Sequence, residues 1–294
     1  MNGASRIAAI IELLRPPNVF TALADSLAGL ALARGTAFSL ADPGLFCLPA
    51  SACLYLGGMA LNDYFDREID ARERPERPIP SGRLPAAWAA SLGAGLIAAG
   101  LALAFAAGIE PFAAAAALAA AILLYDAGAK GVEAGSLVMG LCRGLNFLMP
   151  LTLAEDPSPF GLLTPPLLLA AYVAAFTYLA RHEVGGNEPE RVRQGLLALG
   201  AVAAALVVTL AYAPSHVAGW AVLVVVIVRG VSIFAPLVRD SSGPATGRAI
   251  GDAILLIPLF DAVFVAAAGL PGLAAAVAAL ALPAIWLRRL YSPT

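Results

Sequence analysis

The sequence predicts an all-α polytopic membrane protein with nine or ten transmembrane helices, and three observations predict it. Of the 294 residues 60% are hydrophobic, at a mean hydropathy of +0.83. Apolar runs of about 18 residues or more recur along the whole length, the extent a helix needs to satisfy its own backbone hydrogen bonds across a hydrocarbon layer ~30 Å thick. Only 13% of residues are charged, and the polar material gathers in a few segments between the runs.

In chain order the spans are 17–34, 44–62, 85–107, 111–126, 135–154, 161–181, 193–213, 216–238, 249–269 and 272–289. Polar loops follow the second, fourth, sixth and eighth, at 62–84, 126–134, 181–193 and 239–248. Only Leu270-Pro271-Gly272 separates the last two spans, so they read as a tight hairpin or as one span plus a re-entrant piece, which leaves nine or ten open. The second and sixth spans both run into acid-containing segments, "NDYFDREID" and "RHEVGGNEPE". This weak repeat divides a single domain, 1–294, into halves of about 17–130 and 131–240 plus C-terminal helices.

Lys and Arg accumulate in cytoplasmic loops. With both termini inside, Arg6, Arg15, the arginines of 62–84, Lys130, Arg181, Arg191, Arg193, Arg239, Arg248, Arg288 and Arg289 all fall on the cytoplasmic side. Only Arg34 falls outside, among short loops carrying Asp42, Glu110, Glu155 and Asp156. The asymmetry favours an even number of spans and a bacterial-type cytoplasmic membrane with both termini cytoplasmic. A net charge of −2 gives no basis for a nucleic-acid partner. Cys47, Cys53 and Cys142 lie in apolar spans without paired spacing and read as structural thiols. No cleavable leader, separate soluble domain or obligate protein partner is evident.

Residues 61–84, "LNDYFDREIDARERPERPIPSGRL", hold 6 of the 20 acids and 5 of the 17 arginines. If the second helix continues to residue 70, Asn62, Asp66 and Asp70 share one face at a spacing of four residues, with Asp63 beside them. Oxygen ligands of this kind suit Mg²⁺, which keeps several waters and bridges carboxylates to substrate phosphates. Arg74 and Arg77 follow in a segment stiffened by Pro75, Pro78 and Pro80, and arginine presents a planar fork to phosphate oxygens. The plainer reading pairs these acids with neighbouring arginines at a solvated helix end.

These residues resemble the UbiA-type intramembrane aromatic prenyltransferases. "NDYFDREID" followed by "RPERPIPSG" matches the family's Asn-Asp-x-x-Asp-x-x-x-Asp motif and its Arg-rich continuation, and "LLRPPNVFTALADSLAGLALA" is similar to the first helix. The resemblance implies a central cavity opening to cytoplasmic cap loops, and Asn62, Asp66 and Asp70 holding Mg²⁺ against the diphosphate of a polyprenyl donor. It places Arg74, Arg77 and Lys130 on the phosphate oxygens. Asp63 and Arg181 are expected in the substrate-binding set, and Asp66, Asp70, Lys130 and Arg143 are expected to be catalytic. Lys130, in "YDAGAKG", reads equally as a positive-inside residue. The family's second acidic motif has a divergent counterpart in "RHEVGGNEPE": Glu183 and Asn187 occupy the ligand positions, and Gly185-Gly186 would break the helix between them. "TYLARHEVGG" and "GLCRGLN" are most similar to a UbiA-like (EboC-type) subgroup of bacterial Ebo gene clusters.

Asp25, Arg143, Asn146, Arg229, Asp252 and Asp261 fall within spans and are expected to point inward, because an ionisable group in lipid costs several kcal/mol, roughly 2.5–3.5 at a helix centre. Arg143 and Asn146 share one side of the fifth helix, where Gly140 and Gly144 permit close helix contact. They would line the cavity and touch acceptor or diphosphate, or else lock helices through Asp25, Asp252 or Asp261. The function expected is Mg²⁺-dependent transfer of a prenyl group from a polyprenyl diphosphate to an aromatic or other lipophilic acceptor in the membrane. The alternative is a non-catalytic relative that binds or transports an isoprenoid-linked metabolite.

Overall fold

In the computed structural model the described residues are 3–129, 134–155, 158–181, 186–213 and 215–291. They form helices α1 (Gly3–Leu14), α2 (Val19–Arg34), α3 (Cys47–Glu73), α4 (Ala86–Ala107), α5 (Ile109–Asp126), α6 (Gly135–Leu151), α7 (Pro159–Ala180), α8 (Pro189–Tyr212), α9 (Val217–Phe234), α10 (Gly243–Ala267), α11 (Pro271–Ala279) and α12 (Ala281–Tyr291). Among the described residues eight helical segments are long and apolar enough to cross a membrane, and a bent pair at Ile7–Ala37 makes a ninth. α6 is a shorter apolar helix of 17 residues. Every expected span is therefore helical, and the chain is an integral membrane protein.

Three elements differ from the sequence expectation. α1 precedes the first span and bends away from it by 43° at Arg15-Pro16-Pro17, where the prolines cannot continue the hydrogen-bond ladder. α3 runs eleven residues past the expected end of its span, carrying the acidic segment out as continuous helix. The last span is interrupted at Leu280, where Pro283 has no N–H for the carbonyl of Ala279. α10 and the last span form the hairpin: Gly269 makes the turn at φ +77°, and Arg288 returns to Asp252 at 2.9 Å.

Close approach is built from small residues. A Cβ on Gly140 would lie 2.3 Å from the Ala170 carbonyl of α7, and one on Gly29 would lie 2.2 Å from the Phe147 carbonyl of α6. α6 is thereby pressed between α2 and α7, which fixes the direction of Arg143 and Asn146. One apolar core joins α3, α4, α5 and one side of α6, and a larger one joins α2 with α7–α11. The thiols of Cys47 and Cys142 are buried and unpaired.

Not every charge within a span faces inward. Asp25, Arg143, Asn146 and Asp261 are buried, whereas Arg229 and Asp252 are exposed. Asp252 is neutralised by Arg288. Arg229 lies five residues before the end of α9, close enough for a long side chain to carry its charge toward the interface.

Candidate functional site

α2, α3, α5 and α6 enclose a cavity of ≈ 220 Å³. Its apolar wall includes Leu118, Ile122, Met139 and Cys142, and its polar groups include one stripe of α3, Ser51, Tyr55 and Asn62, facing Tyr125 and Asp126 of α5 and Arg143 and Asn146 of α6. Helical periodicity carries that stripe one turn further to Asp66, half-buried beyond the cavity. Residues one to two turns apart on one helix thus connect an acidic rim to an apolar interior.

The rim is a network of ion pairs. Arg77 donates to Asp70 at 2.7 Å and to Asp63 at 3.4 Å, and Arg15 donates to Asp63 at 2.5 Å. Asp63 and Asp70 are buried beneath these guanidinium groups, so the plainer pairing reading holds for them as far as Arg77 and Arg15 reach. Asn62 gives its amide nitrogen to Asp126 at the end of α5, at 2.9 Å, which leaves its amide oxygen to face elsewhere. Asp66 and Arg181 both act electrostatically on Tyr125, which places α3 and the end of α7 around the same mouth. Arg74 is exposed, and its backbone N–H closes α3 on the Asp70 carbonyl. Arg83 is held away from the mouth by Glu12, at 2.6 and 3.0 Å.

At the other end of the cavity Arg143 pairs with Asp25 at 3.0 Å, and Asn146 donates to the second Asp25 oxygen at 3.0 Å and to the Ala22 carbonyl at 2.9 Å. Arg143 thus lines the cavity and also locks α6 to α2. Asp261 of α10 lies within hydrogen-bonding range of Asp25 and is itself fully buried.

The second acidic segment is only partly described. Lys130 and Glu183 lie outside the described residues, as does His182. Asn187 is buried and donates to the Leu179 carbonyl at 3.0 Å and to Thr246 at 3.3 Å, while its backbone pairs with Ser241. Its amide nitrogen thus ties the α7–α8 connection to the start of α10.

Arg15, Tyr55 and Asp126 line the cavity and were not singled out by the sequence. Arg15 counted only as a positive-inside residue, although its position before two prolines marks a forced bend. Its φ of +46° is the one positive value at a non-glycine residue among those described, a strained conformation that aims the guanidinium at Asp63.

Among the described residues no three His, Cys, Asp or Glu side chains form a cation cage. Mg²⁺ is commonly held by one or two protein oxygens together with substrate phosphates. The Asn62 amide oxygen and the Asp66 carboxylate supply such a set of hard oxygens on one helix face, and Asp126 fixes which end of the amide is offered.

Comparison with known proteins agrees with this geometry. The chain is 34% identical over 174 residues to a digeranylgeranylglyceryl phosphate synthase of Methanothrix thermoacetophila, covering 58% of this chain and 60% of the relative. It is 29% identical over 261 residues to the synthase of the same name from Natronomonas pharaonis, covering 83% and 91%. The first of these matches therefore spans less than two thirds of the relative's length. A UbiA homolog from Aeropyrum pernix superimposes with a TM-score of 0.67 at 18% identity, covering 83% of this chain and 96% of that one. A UbiA homolog from Archaeoglobus fulgidus bound to DMAPP and Mg²⁺ does so with a TM-score of 0.61 at 15% identity, covering 84% and 98%; at these identities the likeness is one of fold. Residues 22–248 match the model of the UbiA prenyltransferase family, and over that majority of its length the chain belongs to this family.

Proposed function

We propose that this protein is a Mg²⁺-dependent intramembrane prenyltransferase that moves a prenyl group from a polyprenyl diphosphate to a lipophilic acceptor. The observation that carries the reading is the continuous stripe on α3, from Asp66 and Asn62 at the rim to Tyr55 and Ser51 inside a membrane-embedded cavity. The relatives named as synthases, and a protein of the same fold bound to DMAPP and Mg²⁺, support it.

Asn62 and Asp66 are the residues that would hold Mg²⁺, and when bound the ion supplies positive charge against the departing diphosphate. Arg77 and Arg15 keep Asp63 and Asp70 charge-compensated, so the acids do not repel the incoming diphosphate. Arg74, exposed at the end of α3, is free to bend toward its outer oxygens. In the transfer the bond between the prenyl carbon and the diphosphate oxygen breaks and a bond to the acceptor forms. The released diphosphate takes up the acceptor's proton. Leu118, Ile122, Met139 and Cys142 keep water from the allylic centre while it carries positive charge.

The test supplies purified protein with labelled geranylgeranyl diphosphate, Mg²⁺ and candidate acceptors. Diphosphate release should stop on chelation and fall by about 100-fold or more in Asp66→Ala. Equal release by wild type and Asp66→Ala would overturn the catalytic reading, and donor binding without release under every acceptor would favour a binding protein.

A further inference from the structure

The polar end of the cavity bears on which acceptors the protein takes. Arg143 reaches it with only 8% of its surface exposed. Its Nη2 is given to Asp25, its Nε is buried without a partner, and its Nη1 makes no hydrogen bond among the described residues. Asn146 beside it spends its amide nitrogen on Asp25 and Ala22, leaving the amide oxygen as an acceptor. A donor and an acceptor are thus presented side by side, as a hydroxyl group requires.

Among the described residues this end of the cavity has no positive excess. One arginine faces Asp25 at 3.0 Å, and the fully buried Asp261 stands behind Asp25 within hydrogen-bonding range. Arg15, the other cation among the described lining residues, is committed to Asp63 at the rim. A carboxylate or phosphate brought to Arg143 would meet Asp25 at close range, with no further cation beside it among the described lining residues, and like charges juxtaposed in a desolvated site cost several kcal/mol.

We infer that the Arg143–Asn146 end of the cavity is the acceptor headgroup site and that it selects an uncharged, hydroxyl-bearing acceptor over an anionic one. This rests on the prenyltransferase reading for its use, while the binding preference can be measured without turnover. It also separates this chain from the synthases it resembles, whose product name carries a phosphate.

The experiment measures equilibrium binding of a para-hydroxybenzyl alcohol and of the matching para-hydroxybenzoate to the full chain in detergent at neutral pH, without donor. Wild type should bind the alcohol at least about tenfold more tightly, and Asp25→Asn, which removes one negative charge at constant shape, should improve hydroxybenzoate binding by about tenfold. A melting curve reports whether the variant is folded, and the wild-type comparison stands without it. Equal or tighter binding of the hydroxybenzoate by wild type, or binding of neither ring, overturns the inference. Diphosphate release from labelled donor, measured separately, reports on the prenyltransferase reading.

Discussion

At the scale of single residues, the acids of 61–84 divide by partner rather than by position. Asp63 and Asp70 pair with Arg15 and Arg77, Asn62 is oriented by Asp126, and Asp66 lies one turn beyond Asn62 on the same face. The motif spacing made this face legible in the sequence, since a period of four residues on a helix puts oxygens in line. Asp126 was not legible, because a lone acid ending an apolar run has no pattern of its own and its partner Asn62 lies 64 residues away. It acts as a positioning residue: without it the Asn62 amide can rotate and offer nitrogen to the cation. Asp126→Ala should therefore raise the Mg²⁺ concentration for half-maximal diphosphate release by about 10- to 100-fold, with Asp126→Asn recovering part of the loss. A Mg²⁺ titration checks this, and an unchanged Mg²⁺ requirement with only a lower melting temperature would reduce Asp126 to a structural role.

At the scale of elements, the hydrophobic runs located every span because their length alone decides membrane crossing. The breaks were less visible. The interruption at Leu280 needed Pro283 to be weighed against a run that is otherwise apolar throughout. The Gly140 and Gly144 pair was readable as a close contact, and the structure supplies its partner, α7. Gly140→Ala would force the two backbones apart around a contact of 2.3 Å, and should cost about 1–3 kcal/mol of stability. Because Arg143 lies on the next turn of the same helix, the melting temperature and acceptor affinity should fall together.

The single basic residue on the expected outer side also has an elemental explanation. Arg34 closes the α2–α3 connection by donating to Asp42 at 2.6 Å and to the Leu153 carbonyl at 2.9 Å. Burial pushes the Asp42 carboxyl up, but the Arg34 hydrogen bond, the Gly44 amide and the Arg34 charge together carry it below its ordinary value of 3.8. A lowered native value means that this stabilisation is complete above the unfolded value and is lost as pH falls through the native one. Melting curves should therefore show a steeper loss for wild type than for Asp42→Asn below about pH 4, and parallel behaviour from about pH 5 to neutrality. A constant difference between the two proteins across the whole range would exclude the Asp42 contribution.

At the scale of the whole molecule, the two larger apolar cores are joined by α6, and the buried network of Asp25, Arg143, Asn146 and Asp261 lies at that joint. The sequence identified these charges as internal but not their mutual arrangement, which depends on how α2, α6 and α10 cross. The number of crossings is where charge and geometry can be set against each other. The hairpin of α10 with α11 and α12 brings Arg288 back to Asp252, so the C-terminal arginines end on the side where α10 begins. If that side is cytoplasmic, as the arginines of 62–84 require, the total number of crossings is even and α6, despite its 17 residues, crosses as well. A fluorescent reporter that matures only in the cytoplasm should then be bright when fused at either terminus, and a periplasm-active phosphatase should be active when inserted in the 35–42 connection and inactive at either terminus. Reporters showing the two termini on opposite sides would mean an odd number of crossings, and would place either the bent α1–α2 pair or the broken α11–α12 pair within one face of the membrane.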